Sequence, residues 1–176
     1  MLMTIDSKLS IRRADSQDAE LLSELGARTF RETFAADNSD ENMAAYLAAS
    51  FNPTQQAAEL ADPNASFQIA EIDAIAVGYA LLRSGEAPTE VGNHPVELVR
   101  LYVSREYLGR GIGAALMQTC IDEAGRDGFK TLWLGVWENN HRAQKFYRKW
   151  EFHVIGAHVF QLGDDAQTDL LMERLL

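Results

Sequence analysis

The chain has 176 residues with 26 Asp or Glu against 16 Lys or Arg, a formal net charge of −10. That balance argues against nucleic acid as a partner, because binding to phosphate backbones needs a surplus of cations. With 47% hydrophobic residues and one cysteine, Cys120, the expectation is a single globular domain over residues 1–176 in a reducing, cytoplasmic setting. The four histidines, His94, His141, His153 and His158, fit no familiar metal spacing. No run reaches membrane-spanning length, and "MLMTIDSKLS" is too polar for a secretory signal. No metal and no membrane is therefore expected.

In chain order, "KLSIRRAD" predicts a strand that ends at Asp15 and Ser16, where a helix begins. Leu21, Leu22, Leu25, Thr29 and Phe30 then recur at helical spacing. Ser39 is placed to cap a second helix, and Pro53 to open a short third one, "PTQQAAEL". "SFQIAEID" and "AIAVGYALLRSG" predict a hairpin, and "GEAPTEVGNHP" a loop. "VELVRLYVS" is an apolar, β-branched central strand. The glycine-rich "EYLGRGIGAAL" leads into a helix whose inner face is Ile112, Ala115, Leu116, Thr119 and Cys120, ended by Gly125 and Gly128. "TLWLGVW" is a buried strand, "NHRAQKFYRKW" a helix, and "FHVIGAHVFQL" and "TDLLMERLL" closing strands. The order describes a mixed α/β domain.

Gly109, Gly111 and Gly113 suit a loop whose backbone holds phosphate oxygens at a helix N-terminus. A nucleotide-triphosphate loop is excluded, because no Lys-Ser or Lys-Thr follows. Gly109, Gly111 and Ala114 do satisfy the dinucleotide fingerprint G-x-G-x-x-[GA]. "SREY" separates them from the strand, however, and the first acid after the next strand, Glu138, lies too far along for a ribose contact.

"LVRLYVSREYLGRGIGAAL" followed by "NHRAQKFYRKWEF" resembles the GNAT superfamily of acetyl-CoA-dependent N-acetyltransferases. Gly111 and Gly113 match the glycines of its motif [QR]-x-x-G-x-[GA], with Leu108 where Gln or Arg is usual. Asn140, Ala143, Phe146 and Tyr147 match N-x-x-A-x-x-F-Y, and Glu151 replaces the usual glycine before Phe152. The resemblance implies a mostly antiparallel twisted sheet with a splayed parallel pair of strands and helices on both faces. It implies acetyl-CoA as cosubstrate and no metal. Leu101, Tyr102 and Val103 would run beside pantetheine, and Leu108, Gly109, Arg110, Gly111, Gly113 and Ala114 would cradle the pyrophosphate.

Tyr147 is implied as the acid that protonates the departing thiolate, a phenol of pKa about 10 being a suitable donor. Asn140 would cap its helix or bond the coenzyme. Glu97 stands where many members of the superfamily keep a base acting through water, and His94 is a second base candidate on the pKa of imidazole. The tail "GAHVFQLGDDAQTDLLMERLL" and "TFRETFAADNSDENMAAYL" look like PaiA-type spermidine/spermine N-acetyltransferases. A small cationic amine, a polyamine for instance, is the acceptor so implied, with Phe30, Glu32, Phe34, Asp37, Asp40, Tyr46, Asp164 and Asp165 as candidates to line its path. A protein N-terminus or lysine is the alternative acceptor. A regulatory module that binds acetyl-CoA without turnover is the alternative of another class. A homodimer remains open.

Overall fold

Local chemistry sets the element boundaries in the computed structural model, which describes residues 8–176. Residues 1–7, and with them most of the segment read as lacking a secretory signal, lie outside the described residues. Strand β1 (Leu9–Arg13) ends in a reciprocal cap. The Asp15 carboxylate accepts from the Gln17 N–H at 2.8 Å while Asp18 accepts from the Asp15 N–H at 2.8 Å. The expected helix start therefore arrives as a 3₁₀ turn over Ser16–Asp18, and α1 runs Ala19–Phe34. Ser39 caps α2 (Asp40–Ser50) by accepting from Asn42, and Asn52 caps α3 (Pro53–Ala61) by accepting from Gln55.

Strands β2 (Ala65–Ile72) and β3 (Ile75–Ser84) are joined by Asp73 and Ala74, both with positive φ, 51° and 64°, as a tight hairpin turn requires. Then come β4 (Pro95–Val103), α4 (Ile112–Arg126), β5 (Thr131–Trp137), α5 (His141–Lys149), β6 (His153–Leu162) and β7 (Asp165–Leu175). Of the two glycines expected to end α4, Gly125 lies inside the helix. Gly128, with φ of 87°, supplies the left-handed residue that stops it.

The seven strands form one sheet in the order β1-β2-β3-β4-β5-β7-β6, antiparallel except for the β4–β5 pair. Both faces are covered. On one, α4 and α5 bury Ile112, Leu116, Met117, Cys120 and Tyr147 against Val77, Leu98, Leu132 and Leu134. On the other, Leu22 and Leu25 of α1 meet Phe67, Ile69, Tyr79 and Leu81, and Phe30 meets Met43 and Leu47 of α2. Each fully buried aliphatic side chain of this kind contributes about 1.5–3 kcal/mol. The architecture is the mostly antiparallel sheet with one parallel pair that the motif order implied.

Two features of β4 position the site. Its parallel pairing with β5 covers only Pro95–Glu97 against Thr131–Trp133. Just beyond, the register to β3 shifts: Leu82 pairs Leu98 whereas Leu81 pairs Arg100, so Val99 is an extra residue. Such a bulge bends its strand and sharpens the local twist. It also turns consecutive side chains to one face. Val99 joins the α1-side cluster, and the next residue, Arg100, reaches Glu59 of α3 on that side at 2.7 and 3.1 Å.

That ion pair is nearly enclosed, with side-chain exposures of 13% for Arg100 and 8% for Glu59, and the guanidinium also lies 4.9 Å from the Phe51 ring centroid. Removing one partner leaves the other charge buried without compensation, at a cost of about 3–5 kcal/mol. Glu59→Ala is expected to lower unfolding free energy by about that amount in urea titration. Glu59→Gln, which can still accept from the guanidinium, should lose less.

Candidate active site

Among the described residues, past Glu97, β4 keeps β3 on one side and has no strand on the other, while β5 keeps only β7. The wedge between them opens into a cleft of about 940 Å³. Its walls expose the strand-edge N–H and C=O groups of the diverging segments, which an extended amide chain could pair as an added strand.

At the mouth, the loop after β4 reaches α4 through Gly109 and Gly111, with φ of 79° and 80° and no atom within 4 Å of where a Cβ would stand. Gly111 is the N-cap and no side chain caps it. The first-turn N–H groups of α4 are thus left to an anion, and the helix dipole favours one there. Gly113 sits inside this turn, where an added Cβ would lie 3.8 Å from Phe146 and 3.9 Å from Val103.

The structure gathers Glu97, Leu101, Tyr102, Val103, Leu108, Gly109, Gly111, Gly113, Ala114, Asn140 and Tyr147 around this one cleft. Arg110 is not in its lining; its guanidinium lies over the Tyr107 ring, 5.2 Å from the centroid. Leu108, at the position of the family's Gln or Arg, is 38% exposed and offers the mouth an apolar surface. Asn140 caps α5, accepting from the Ala143 N–H at 3.2 Å, and still lines the cleft.

Tyr147 is 9% exposed, packed at 5.5 Å from Phe146 and 5.7 Å from Phe152, ring centroid to ring centroid. Burial pushes its phenol above the usual range, so it keeps its proton at any physiological pH. Glu97, half-buried on the opposite sheet face from Leu98, is shifted upward by desolvation, with Arg83 opposing.

Other expected residues divide. Phe30, Glu32, Phe34 and Tyr46 line the α1–α2 side of the cleft. Glu32 is already engaged there, accepting from the Arg105 N–H at 2.9 Å. Asp37, Asp40, Asp164 and Asp165 lie outside the lining, and Asp164 instead accepts from Asn42 at 2.7 Å. His94 is exposed with φ of 46°, its carbonyl holding the Lys130 N–H at 3.0 Å, and it stays away from the cleft. His141 and His153 are also outside it.

Sequence reasoning missed Arg100, Trp137, His158, Phe160, Gln167 and Asp169, all of which line the cleft. A clue lay in "TLWLGVW": Gly135 is the exposed position of an otherwise buried strand, and a Cβ there would stand 3.3 Å from both Asp169 Oδ2 and His158 Cε1.

Residues 20–152 match the model of the acetyltransferase (GNAT) family. An uncharacterized N-acetyltransferase of Lactobacillus delbrueckii subsp. lactis is 37% identical over 86% of this chain and 88% of its own length. The chain belongs to the acetyltransferase (GNAT) family. It is an acetyl-CoA-dependent N-acetyltransferase of GNAT type. An uncharacterized N-acetyltransferase of Mycobacterium tuberculosis is 35% identical over 90% of this chain and 98% of its own.

Among solved structures, the PaiA N-acetyltransferase of Thermoplasma acidophilum in complex with coenzyme A superposes with TM-score 0.77 at 22% identity, over 96% of this chain and 99% of that one. YncA of Salmonella typhimurium with acetyl-CoA gives 0.66 at 21%, over 96% and 94%. At these identities the likeness is one of fold. No helix among the described residues is long and apolar enough to cross a membrane, and no group of His, Cys, Asp or Glu among them could hold a metal.

In a GNAT enzyme of this geometry, the left-handed Gly111 sets the direction of the α4 N–H groups. An alanine there meets no atom, so its cost is conformational, about 1–2 kcal/mol. Gly111→Ala is expected to weaken acetyl-CoA about 5- to 30-fold in calorimetry.

Proposed function

We propose that this protein transfers the acetyl group of acetyl-CoA to a primary amine of a small cationic acceptor, polyamines such as spermidine included. The observation that carries the reading is the division of one cleft into two environments. Toward α4 lie open strand edges and an uncapped helix N-terminus, suited to pantetheine and pyrophosphate. Toward α1 and α2 lie aromatic rings and a half-buried carboxylate, Glu97. The coenzymes in the named Thermoplasma and Salmonella structures support taking the first environment as the coenzyme site.

The chemistry follows from those neighbours. An ammonium must lose a proton before its nitrogen can attack, and the Glu97 carboxylate, whose affinity for a proton desolvation raises, takes it through water. The amine nitrogen then bonds to the thioester carbon, whose oxygen gathers charge opposite the main-chain N–H groups of the splayed strand. As the carbon–sulfur bond breaks, the thiolate takes the Tyr147 proton, the nitrogen gives its extra proton to water, and water reprotonates the Tyr147 phenolate, leaving N-acetylated amine and coenzyme A.

A small acceptor is favoured by the closure of the far side. Asn42 donates to Asp164 at 2.7 Å and Gln167 to Asn38 at 2.8 Å, tying the α1–α2 corner to the β6–β7 hairpin. Tyr46 packs on Phe160 beneath those bonds, with centroids 5.7 Å apart. This roof restricts the room for a folded protein acceptor.

Thiol release from acetyl-CoA with an amine panel and a peptide panel tests the reading. Turnover with small amines supports it, turnover only with peptides would replace it by the protein-acceptor reading, and tight acetyl-CoA binding without turnover would leave a binding module. Tyr147→Phe should lower kcat about 10²- to 10⁴-fold, the range of general acid catalysis, while acetyl-CoA affinity stays within about threefold.

For Glu97→Gln the dependence on pH has a definite sign. Wild-type activity should rise with pH through a limb above the ordinary carboxylate range of about 4.3, because desolvation raises Glu97. The Gln variant should be about 10²-fold slower at neutral pH and approach wild type near pH 10, where the amine deprotonates unaided.

A further inference from the structure

Two carboxylates of the cleft stand apart from the other enclosed acids. Asp18 is held by Arg12 at 2.8 Å, Glu59 by Arg100 at 2.7 Å, and Glu173 by the Gly92 N–H at 2.9 Å. Among the described residues, no donor lies within hydrogen-bond distance of Glu97 or Asp169. The nearest cation to Asp169 is the His158 imidazole, with Nε2 at 3.9 Å. A carboxylate whose side chain is only 15% exposed and which accepts nothing from its own protein is a group awaiting a donor.

Asp169 lies in register with Trp137 of β5 on one side and His158 of β6 on the other, on the sheet face turned toward α1 and α2. The bare backbone of Gly135 gives this pair room, since a Cβ there would press on both. The charged and titratable groups facing the pair are few. Tyr46 comes from α2, and from β4 come Glu97 and Arg100, whose charge is already met by Glu59. The negative charge of Asp169 is therefore not neutralised from within while His158 is uncharged.

Position adds the second half of the argument. Glu97 pairs Trp133, which pairs Glu173, and Asp169 is four residues along β7 from Glu173. At strand spacings of about 4.8 Å and a rise of about 3.3 Å per residue, the Cα atoms of Glu97 and Asp169 lie about 16 Å apart. Their side chains narrow that gap across one chamber.

We propose that Asp169 recognises a second positively charged group of the acceptor, held among Tyr46, Trp137 and Phe160, while Glu97 serves the amine that reacts. Aromatic faces around a carboxylate are the surroundings a desolvated ammonium needs. The inference rests on the amine-acetyltransferase reading and adds where the acceptor's remote charge is read.

The test compares α,ω-diaminoalkanes, from propane to decane, each with the n-alkylamine of the same carbon count. A charge-assisted hydrogen bond at Asp169 should give the longer diamines kcat/KM values about 10- to 100-fold above their monoamine partners, with an optimum chain length. Asp169→Asn should bring that ratio close to one and erase the optimum. His158→Gln, which leaves the Asp169 carboxylate in place, should keep the ratio. No diamine advantage in wild type, or an advantage that survives Asp169→Asn, overturns the subsite.

Should no amine be acetylated at all, the amine-acetyltransferase reading fails by itself. Calorimetry of the longer diamines with the coenzyme A-saturated protein then decides the subsite separately. Binding lost in Asp169→Asn supports it, and absence of binding overturns it.

Discussion

Parallel pairing between β4 and β5 ends after three residue pairs, at Glu97 and Trp133, and the rest of the molecule can be understood from that ending. Had the pair continued, the sheet would be sealed and the strand-edge amides would satisfy one another. The bulge at Val99 comes two residues later and bends β4 toward β3, while antiparallel pairing to β7 holds β5 on its own course. Two well-paired halves of a sheet thus share a seam that closes at one end and gapes at the other. The gape is stable because each diverging strand retains a full partner on its outer side, and helices α4 and α5 cover one face of the opening.

The bulge does a second thing. By turning Val99 and Arg100 to the same face, it brings a guanidinium into the α1–α3 layer beneath the α1–α2 side of the cleft. Arg100 would make that side hostile to cations were it free. Glu59 neutralises it, and Phe51 stacks beneath it at 4.9 Å. Glu97 and Asp169 then stand in the cleft without a hydrogen-bond donor among the described residues, with Arg142 on the α5 side, in a chain whose net charge is −10.

Much of the α4 side of the cleft is legible in the sequence because it is built from consecutive residues whose chemistry is local. A left-handed N-cap asks for glycine, and Gly111 supplies it; a helix start asks for a side-chain acceptor, and Asn140 supplies one. Such features are written within a few positions of where they act. The α1–α2 side is written otherwise. Asp169 and His158 meet only because the β6–β7 turn fixes their register, and they meet Glu97 only through β5. The extra residue at Val99 is hard to read from "VELVRLYVS", where apolar residues fall on both faces of the strand. Gly125 misled for the same reason in reverse, since a glycine signals an end only where the backbone turns left-handed, and that happens at Gly128.

These two kinds of construction divide the labour of the site. The α4 side depends on backbone geometry, which side-chain replacement alters little, so Leu108 can stand where a polar residue is usual and leave the N–H groups of α4 in place. The α1–α2 side depends on side chains from α1, α2, β4, β6 and β7, beside the bonds of Asn42 and Gln167 that tie this corner together. Unpaired carboxylates in a partly enclosed chamber oppose folding, because desolvation raises both Glu97 and Asp169 and burial penalises their charged forms. A sequence selected for stability alone would neutralise them as Asp18 and Glu59 are neutralised. Gly135 leaves Asp169 room, and in the proposed acceptor site the missing donors are those of the ligand.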